Sequence, residues 1–379
     1  MTPILPGQTI GMVGGGQLGR MSTFKAKQMG YTVVTLDPAP HSPCGQVADA
    51  QLIASYTDHL SLIELSQRCD VVTYEFENVP SESVELIVSH GKPVFPAASV
   101  LNVTQNRVRE KTFVRQLGLN VADFLGVQDR DDLEQAIDQI GFPAILKTAG
   151  GGYDGKGQFV IGSADEAVRA FEASGGVELI WERQVPFDLE LSVICARNQQ
   201  DEVVAYPPTE NIHVNNILDI SIAPARVSPE VQAEAQHVAC EVAAGLGLVG
   251  VCGIEMFLLP DETLLINEIA PRPHNSGHHT IESCICSQFE QHIRAVCGLP
   301  LGSTELISPA VMVNILGSGT GSRLAGVPEL LRTPNVHFHL YGKREAKADR
   351  KMGHITALSV DVETALEIAL AARQQLRWE

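Results

Sequence analysis

Along residues 8–100, short apolar runs alternate with longer stretches of mixed apolar and polar residues. TIGMV (9–13), YTVVTLD (31–37) and DVVTYEF (70–76) have the length and β-branched content of strands. A glycine loop, 14–19, follows the first of them and leads into a helix through Met29. SESVELIVSHG (81–91) reads as a second helix with Ser81 as its N-cap, and KPVFP (92–96) closes the series. Strands alternating with helices predict a parallel sheet with crossover helices.

The pattern changes from residue 96. Residues 96–118 read as a linker plus a helix. Short strands at 142–148, 157–162 and 177–185 surround a second glycine-rich segment and the helix 163–174, as in a small α+β lobe. SPEVQAEAQHVACEVAAGLG (228–247) is a strong helix, with Ser228 as N-cap, Pro229 at its first position and Gly245 or Gly247 at its end. The tail has strands at 310–316, 336–342 and 354–360, then an amphipathic helix, 362–376.

Two apolar strands flank PDET (260–263), a plausible four-residue hairpin loop. Pairing Leu259 with Leu264 sets Phe257 against Ile266 and Glu255 against Glu268. Opposed carboxylates with Cβ atoms about 5 Å apart repel unless a cation or a proton lies between them. One glutamate could instead be protonated or face solvent. A shared divalent cation explains more, because magnesium favours a few carboxylates together with phosphate oxygens. His274, His278 and His279 raise the alternative of a transition-metal site, but they lie in a Pro/Gly-rich loop and not on a helix.

KTAGGGYDGKGQ (147–158) is too glycine-rich to pack a core, and it can bring backbone amides against phosphates. It is not a Walker A loop, since G-x-x-x-x-G-K-[ST] is absent. The net charge of -18 over 379 residues argues against nonspecific binding to nucleic acid or an anionic membrane, and the length implies two or three domains. Eight scattered cysteines, with only Cys284 and Cys286 close together, fit a reducing cytoplasm better than a disulfide or zinc framework. The N-terminus lacks the pattern of a signal peptide, and no apolar run reaches the length of a membrane span.

Lys147 ahead of a glycine loop, WERQV (181–185) on the next strand and a later glutamate hairpin resemble the ATP-grasp superfamily, whose two lobes hold ATP between them. GMVGGGQLGRM (11–21), YEFENVP (74–80), KTAGGGYDGKGQ, YPPTENIH (206–213) and NEIAPRPHNSGHHTIE (267–282) together resemble the N5-carboxyaminoimidazole ribonucleotide synthetases of purine biosynthesis, over nearly the whole chain. The resemblance implies an ATP-dependent ligase of mixed α/β and α+β class. It has a Rossmann-like pre-ATP-grasp domain (1–103), an ATP-grasp domain (104–301, with a lid lobe 120–186) and a small β-rich C-terminal domain (302–379). The family uses ATP and bicarbonate to carboxylate 5-aminoimidazole ribonucleotide, and it is commonly dimeric, so a cytoplasmic homodimer follows as the expectation.

Carried over by motif, the ATP site would comprise Arg107, Lys147, the loop Gly152, Tyr153, Asp154, Gly155, Lys156, Gly157 and Gln158, then Glu182, Arg183, Gln184, Val185, Glu190, His213, Asn267 and Glu268. Glu255 and Glu268 would bind magnesium or manganese. Ala270 stands where many superfamily members have an asparagine ligand, which leaves a third ligand open and Asn267 unassigned as one. Gln17, Leu18, Glu75 or Glu77, His274 and Asn275 would face the ribonucleotide. The basic island YGKREAKADRKMGH (341–354) offers Lys343, Arg350 and Lys351 to its phosphate. Lys147 and Arg272 would neutralise the transferred phosphoryl group, while Tyr153 and Asp154 lie where the substrates meet, Asp154 orienting the amine or accepting its proton.

Three other readings compete. Gly14, Gly16 and Gly19 form G-x-G-x-x-G with Asp37 ending the next strand, as in an NAD-dependent oxidoreductase, but that leaves the glutamate hairpin and second glycine loop unexplained. A noncatalytic nucleotide sensor would keep the ATP lobe without turnover. A formate-using glycinamide ribonucleotide ligase is the nearest enzymatic alternative.

Overall fold

Val13 and its strand neighbours are buried on both faces, as a central parallel strand requires. The structure, a computed structural model, describes residues 2–151, 157–321 and 323–379. The strands β1 (Thr9–Val13), β2 (Thr32–Leu36), β3 (Ala50–Leu52) and β4 (Val71–Tyr74) form a parallel sheet in the order β3-β2-β1-β4. The helices α1 (Gln17–Gln28), α2 (His59–Arg68) and α3 (Ser81–Ser89) accompany them. The expected serine cap of α3 is not there: Pro80 is the N-cap, no side chain caps the helix, and Ser81 is its first residue. The short, half-buried β3 gave no strand signal.

The segment read as a linker plus one helix is two helices, α4 (Ala98–Thr104) and α5 (Arg107–Gln116). Asn106 separates them, because its side chain accepts from the Val108 and Arg109 amides and so starts a new helix. The next unit comprises β5 (Phe124–Val127), α6 (Arg130–Ile140), β6 (Ala144–Thr148), β7 (Gln158–Ile161), α7 (Ala164–Ala173) and β8 (Leu179–Arg183). Its antiparallel sheet, β5-β8-β6-β7, packs Leu146 and Trp181 against Leu133, Ala136 and Ala167.

A nine-stranded sheet carries the rest. Its strands are β9 (Leu189–Arg197), β10 (Val203–Ala205), β11 (Thr209–Val214), β12 (Ile217–Ala223), β13 (Gly250–Leu258), β14 (Leu264–Ala270), β15 (Ala310–Leu316), β17 (Val336–Leu340) and β18 (Lys351–Leu358). The order is β14-β13-β9-β11-β12-β15-β18-β17, with β10 beside β9. β12 pairs with β15, so the C-terminal strands extend the sheet that holds the glutamate hairpin. The helix α8 (Pro229–Gly245) packs on β9, capped by Ser228 and followed by Gly247 at φ +60°. After α9 (Thr280–Ser283) and α10 (Gln288–Val296), the chain adds β16 (Leu324–Ala325), α11 (Val327–Leu330), α12 (Val362–Gln374) and β19 (Arg377–Trp378). α12 buries Ala365, Ala369 and Ala372 against β15 and β18.

The β13–β14 hairpin corrects the expected register. Met256 pairs with Ile266 and Phe257 with Leu265, because the loop has three residues, 260–262, with Glu262 at φ +64°. A bulge at Asn267 then adds one residue to β14, and Glu255 comes to stand opposite Glu268 as expected. The miscounted loop and the unforeseen bulge cancel at the carboxylates.

Candidate active site

The three units converge on a cleft of about 540 Å³. On one wall, the Lys147 ammonium of β6 lies 2.5 Å from Glu182 Oε2 of β8, and the buried Lys111 of α5 lies 3.2 Å from Glu182 Oε1. Burial alone would raise the Glu182 pKa, but the two ammoniums hold it down to about 2. The carboxylate of Glu182 is thus engaged by lysines, and the triad carries one net positive charge into the cleft. Arg107, the first residue of α5, donates through Nη1 to the Thr148 carbonyl at 3.0 Å and also lines the cleft.

Gln158, Arg183, Gln184 and Val185 line the same wall, with Arg183 also 3.1 Å from Asp123. Glu190 and His213 form an ion pair on neighbouring strands. Burial opposes charge on His213, and Glu190 nevertheless raises its pKa. Phe187 stacks on Phe257 at 4.5 Å and 10°, an apolar wall suited to a flat ring. Gly157 is described at φ +74°, whereas Gly152, Tyr153, Asp154, Gly155 and Lys156 lie outside the described residues.

At the floor, Glu255 and Glu268 face the cleft beside Asn267. His274 Nε2 lies 3.1 Å from Glu255 Oε1; burial works against ionisation, but His274 holds the Glu255 carboxyl low. Burial and the Glu255 charge push the Glu268 carboxyl up. Such a pair favours an oxygen-seeking cation between its members. Ala270 is buried opposite Gly253 and brings no ligand. Among the described residues, no group of three His, Cys, Asp or Glu side chains is arranged to hold a metal ion. His278 and His279 are buried, His279 bonding Ser283 at 2.7 Å and His278 lying 3.2 Å from Gln288 Nε2.

Gln17, Leu18, Glu75, Glu77, Arg272, Asn275 and Lys351 also line the cleft. Glu77 receives Nε and Nη2 of Arg272, so both residues present an already paired charge. Asn275 lines the cleft with neither amide atom hydrogen-bonded among the described residues. The basic island divides. Lys351 reaches the cleft, whereas Lys343 donates to the Lys351 carbonyl at 2.6 Å and Arg350 to the Glu345 carbonyl at 3.3 Å, and neither lines it.

The dinucleotide reading fails on the geometry of the first turn. Glu75 accepts from the Gly16 amide and, at 2.7 Å, from the Gly19 amide, so a carboxylate occupies the helix terminus where a pyrophosphate would bind. Asp37 Oδ2 accepts from the Gly15 amide at 2.8 Å and the Tyr56 hydroxyl at 2.6 Å, and its Oδ1 accepts from the Ala39 amide at 2.8 Å, so both oxygens a ribose would need are engaged. Gly14 has φ +104°, and a Cβ there would lie 2.5 Å from Glu75 Cγ.

Sequence reading missed Glu110 and Lys111. Both are 2% exposed, and with Arg107 and Val114 they form the inward stripe of α5. Charged residues at i, i+3 and i+4 ahead of a buried valine were the available signal.

A small antiparallel lobe above a glutamate hairpin, with a lysine–glutamate–lysine triad between them, defines an ATP-grasp enzyme, an ATP-dependent ligase. Models of the ATP-grasp domain match residues 112–289, of the ribonucleotide synthetase preATP-grasp domain 7–105, and of the phosphoribosylaminoimidazole carboxylase C-terminal domain 310–368. The N5-carboxyaminoimidazole ribonucleotide synthase of Bacillus subtilis is 48% identical over 93% of this chain and 92% of its own. That of Brucella melitensis is 44% identical over 94% and 98%. An N5-carboxyaminoimidazole ribonucleotide synthetase solved as its ADP complex superposes with a TM-score of 0.93 at 47% identity, covering 98% of each chain. An Aspergillus clavatus relative in complex with ADP and 5-aminoimidazole ribonucleotide gives 0.89 at 34%, covering 97% of this chain and 99% of that one. This chain belongs to the N5-carboxyaminoimidazole ribonucleotide synthase family.

Proposed function

We propose that the chain carboxylates the amine of 5-aminoimidazole ribonucleotide in purine biosynthesis, using ATP and bicarbonate and releasing ADP and phosphate. The observation that carries this reading is one cleft that joins the Lys111–Glu182–Lys147 triad, the Glu255–Glu268 pair and the Lys351 wall. The Aspergillus relative, solved with ADP and the same ribonucleotide, supports it.

Arg107, Lys147, Gln158, the 182–185 strand end, Glu190, His213 and Asn267 hold the nucleotide in this reading. The glycine loop, 152–157, covers its phosphates, an assignment that rests on sequence alone for 152–156. Glu255 and Glu268 fit magnesium or manganese as a pair of hard oxygen donors, leaving further positions to phosphate and water. The ion would neutralise charge on the transferred phosphoryl group.

A bicarbonate oxygen attacks the γ-phosphorus and ADP leaves, which forms carboxyphosphate. The amine nitrogen then bonds to its carboxyl carbon, directly or after carbon dioxide is released, phosphate departs and the nitrogen loses a proton. Lys147 and Arg272 face the developing phosphate charge. Lys351 binds the ribonucleotide phosphate, while Gln17, Leu18, Glu75, Glu77, His274 and Asn275 shape its pocket; Lys343 and Arg350 act at its margin. Tyr153 and Asp154 serve the amine, with Asp154 taking or orienting its proton. We read the chain as three domains, 1–103, 104–301 with the lid 120–186, and 302–379, working as a cytoplasmic homodimer.

Labelled bicarbonate tests the reading. Label should enter an acid-labile product only when ATP and 5-aminoimidazole ribonucleotide are both present; incorporation without either substrate would sink it.

A further inference from the structure

Among the described residues β14 is an edge strand of its sheet, met on its outer side at Ile266, whose amide donates to the Asn120 carbonyl at 2.8 Å. Backbone groups on its outer side need partners from outside the sheet. Next to Glu268, two consecutive residues of α5 provide them. The Lys111 ammonium donates to the Asn267 carbonyl at 3.0 Å, and the Glu110 carboxyl accepts from the Ile269 amide at 3.1 Å. These bonds grip the strand on both sides of Glu268, where the bulge interrupts the ladder.

The same helix reaches the nucleotide wall. Lys111 meets Glu182, which meets Lys147. At its start, the Arg107 amide donates to the Ala149 carbonyl at 2.7 Å, just ahead of the glycine loop. One helix of ten residues therefore touches the carboxylate strand, the lysine triad and the root of that loop. Burying a carboxyl and an ammonium on an inward helical stripe is costly, and apolar residues of similar size would often stabilise such a position as well or better. Val114, one turn on, is apolar and fully buried.

We propose that Glu110 and Lys111 are positioning residues for the carboxylation. They hold the bulge that sets Glu268 opposite Glu255, and Lys111 also fixes Glu182 so that Lys147 points into the cleft. The inference rests on the ATP-dependent reading of the cleft.

Steady-state kinetics of the full chain, with magnesium varied at saturating ATP, test it. Lys111→Met should lower kcat by about tenfold or more and raise the magnesium activation constant, while KM for 5-aminoimidazole ribonucleotide stays within about twofold. Glu110→Leu should behave similarly. Glu110→Gln, whose amide oxygen can still accept from Ile269, should retain kcat within about threefold. Circular dichroism establishes folding, and if Lys111→Met does not fold, the two Glu110 variants decide. Equal loss in Glu110→Gln and Glu110→Leu, or wild-type constants in Lys111→Met and Glu110→Leu, would overturn the proposal. A wild-type chain without ATP- and bicarbonate-dependent turnover would overturn the functional reading instead, a result no variant can imitate.

Discussion

Arg272 holds Glu77 across 195 residues of chain, through Nε and through Nη2 at 2.8 Å, tying the loop after β4 to the end of β14. Burial opposes ionisation of Glu77, yet the guanidinium brings its pKa down to about 2. A carboxyl depressed in the folded state stabilises at pH values above its unfolded value, and that stability is lost as pH falls through the folded one. From the ordinary 4.5 to about 2, the shift makes ionisation of Glu77 favour the folded state by about 3 kcal/mol near neutral pH, with Arg272 its largest favourable cause. Glu77→Gln should therefore lower the urea midpoint near neutral pH. The gap from wild type should close as pH falls from about 4.5 toward 2. A gap independent of pH would contradict the ion pair.

Glu268→Gln should reduce magnesium-dependent turnover by about a hundredfold or more and leave the fold intact. The apo protein should be as stable as wild type or slightly more so, because a repulsion with Glu255 is removed. Turnover that survives with unchanged magnesium dependence would exclude the paired-carboxylate site.

Lys351→Ala and Arg350→Ala should separate. Loss of a charge-assisted contact costs roughly 1.5–3 kcal/mol, so Lys351→Ala should raise KM for the ribonucleotide about tenfold to a hundredfold and hardly change that for ATP. Arg350 donates to the Glu345 carbonyl away from the cleft, and its removal should change KM by less than about threefold. Equal effects of the two variants would remove the phosphate role from Lys351.

Asp154→Asn probes the glycine loop. ATP should still bind, product should fall by orders of magnitude, and bicarbonate-dependent ATP cleavage should continue without it. An unchanged ratio of product to phosphate at an unchanged rate would reduce Asp154 to a turn residue.

Local patterns carried much of this account. The parallel unit followed from its alternation of strands and helices, and Ser228, Pro229 and Gly247 bound α8 where their chemistry suggests. The Glu255–Glu268 pairing came out as expected because the three-residue loop and the bulge at Asn267, neither of which has a local signature, offset each other. The break at Asn106 was hidden inside a polar stretch that suits either a linker or a helix. The pairing of β12 with β15 joins segments distant in sequence and has no local signature. Lys343 and Lys351 looked equivalent in a basic island; only the strand start at Lys351 separates the one that lines the cleft.

The most direct measurement is carboxylated product formed per phosphate released, with ATP and bicarbonate, in the presence and absence of 5-aminoimidazole ribonucleotide. Phosphate release should be stimulated by the ribonucleotide, with close to one product per phosphate. No ATP cleavage with any of these substrates, or cleavage stimulated by glycinamide ribonucleotide and formate instead, would contradict it.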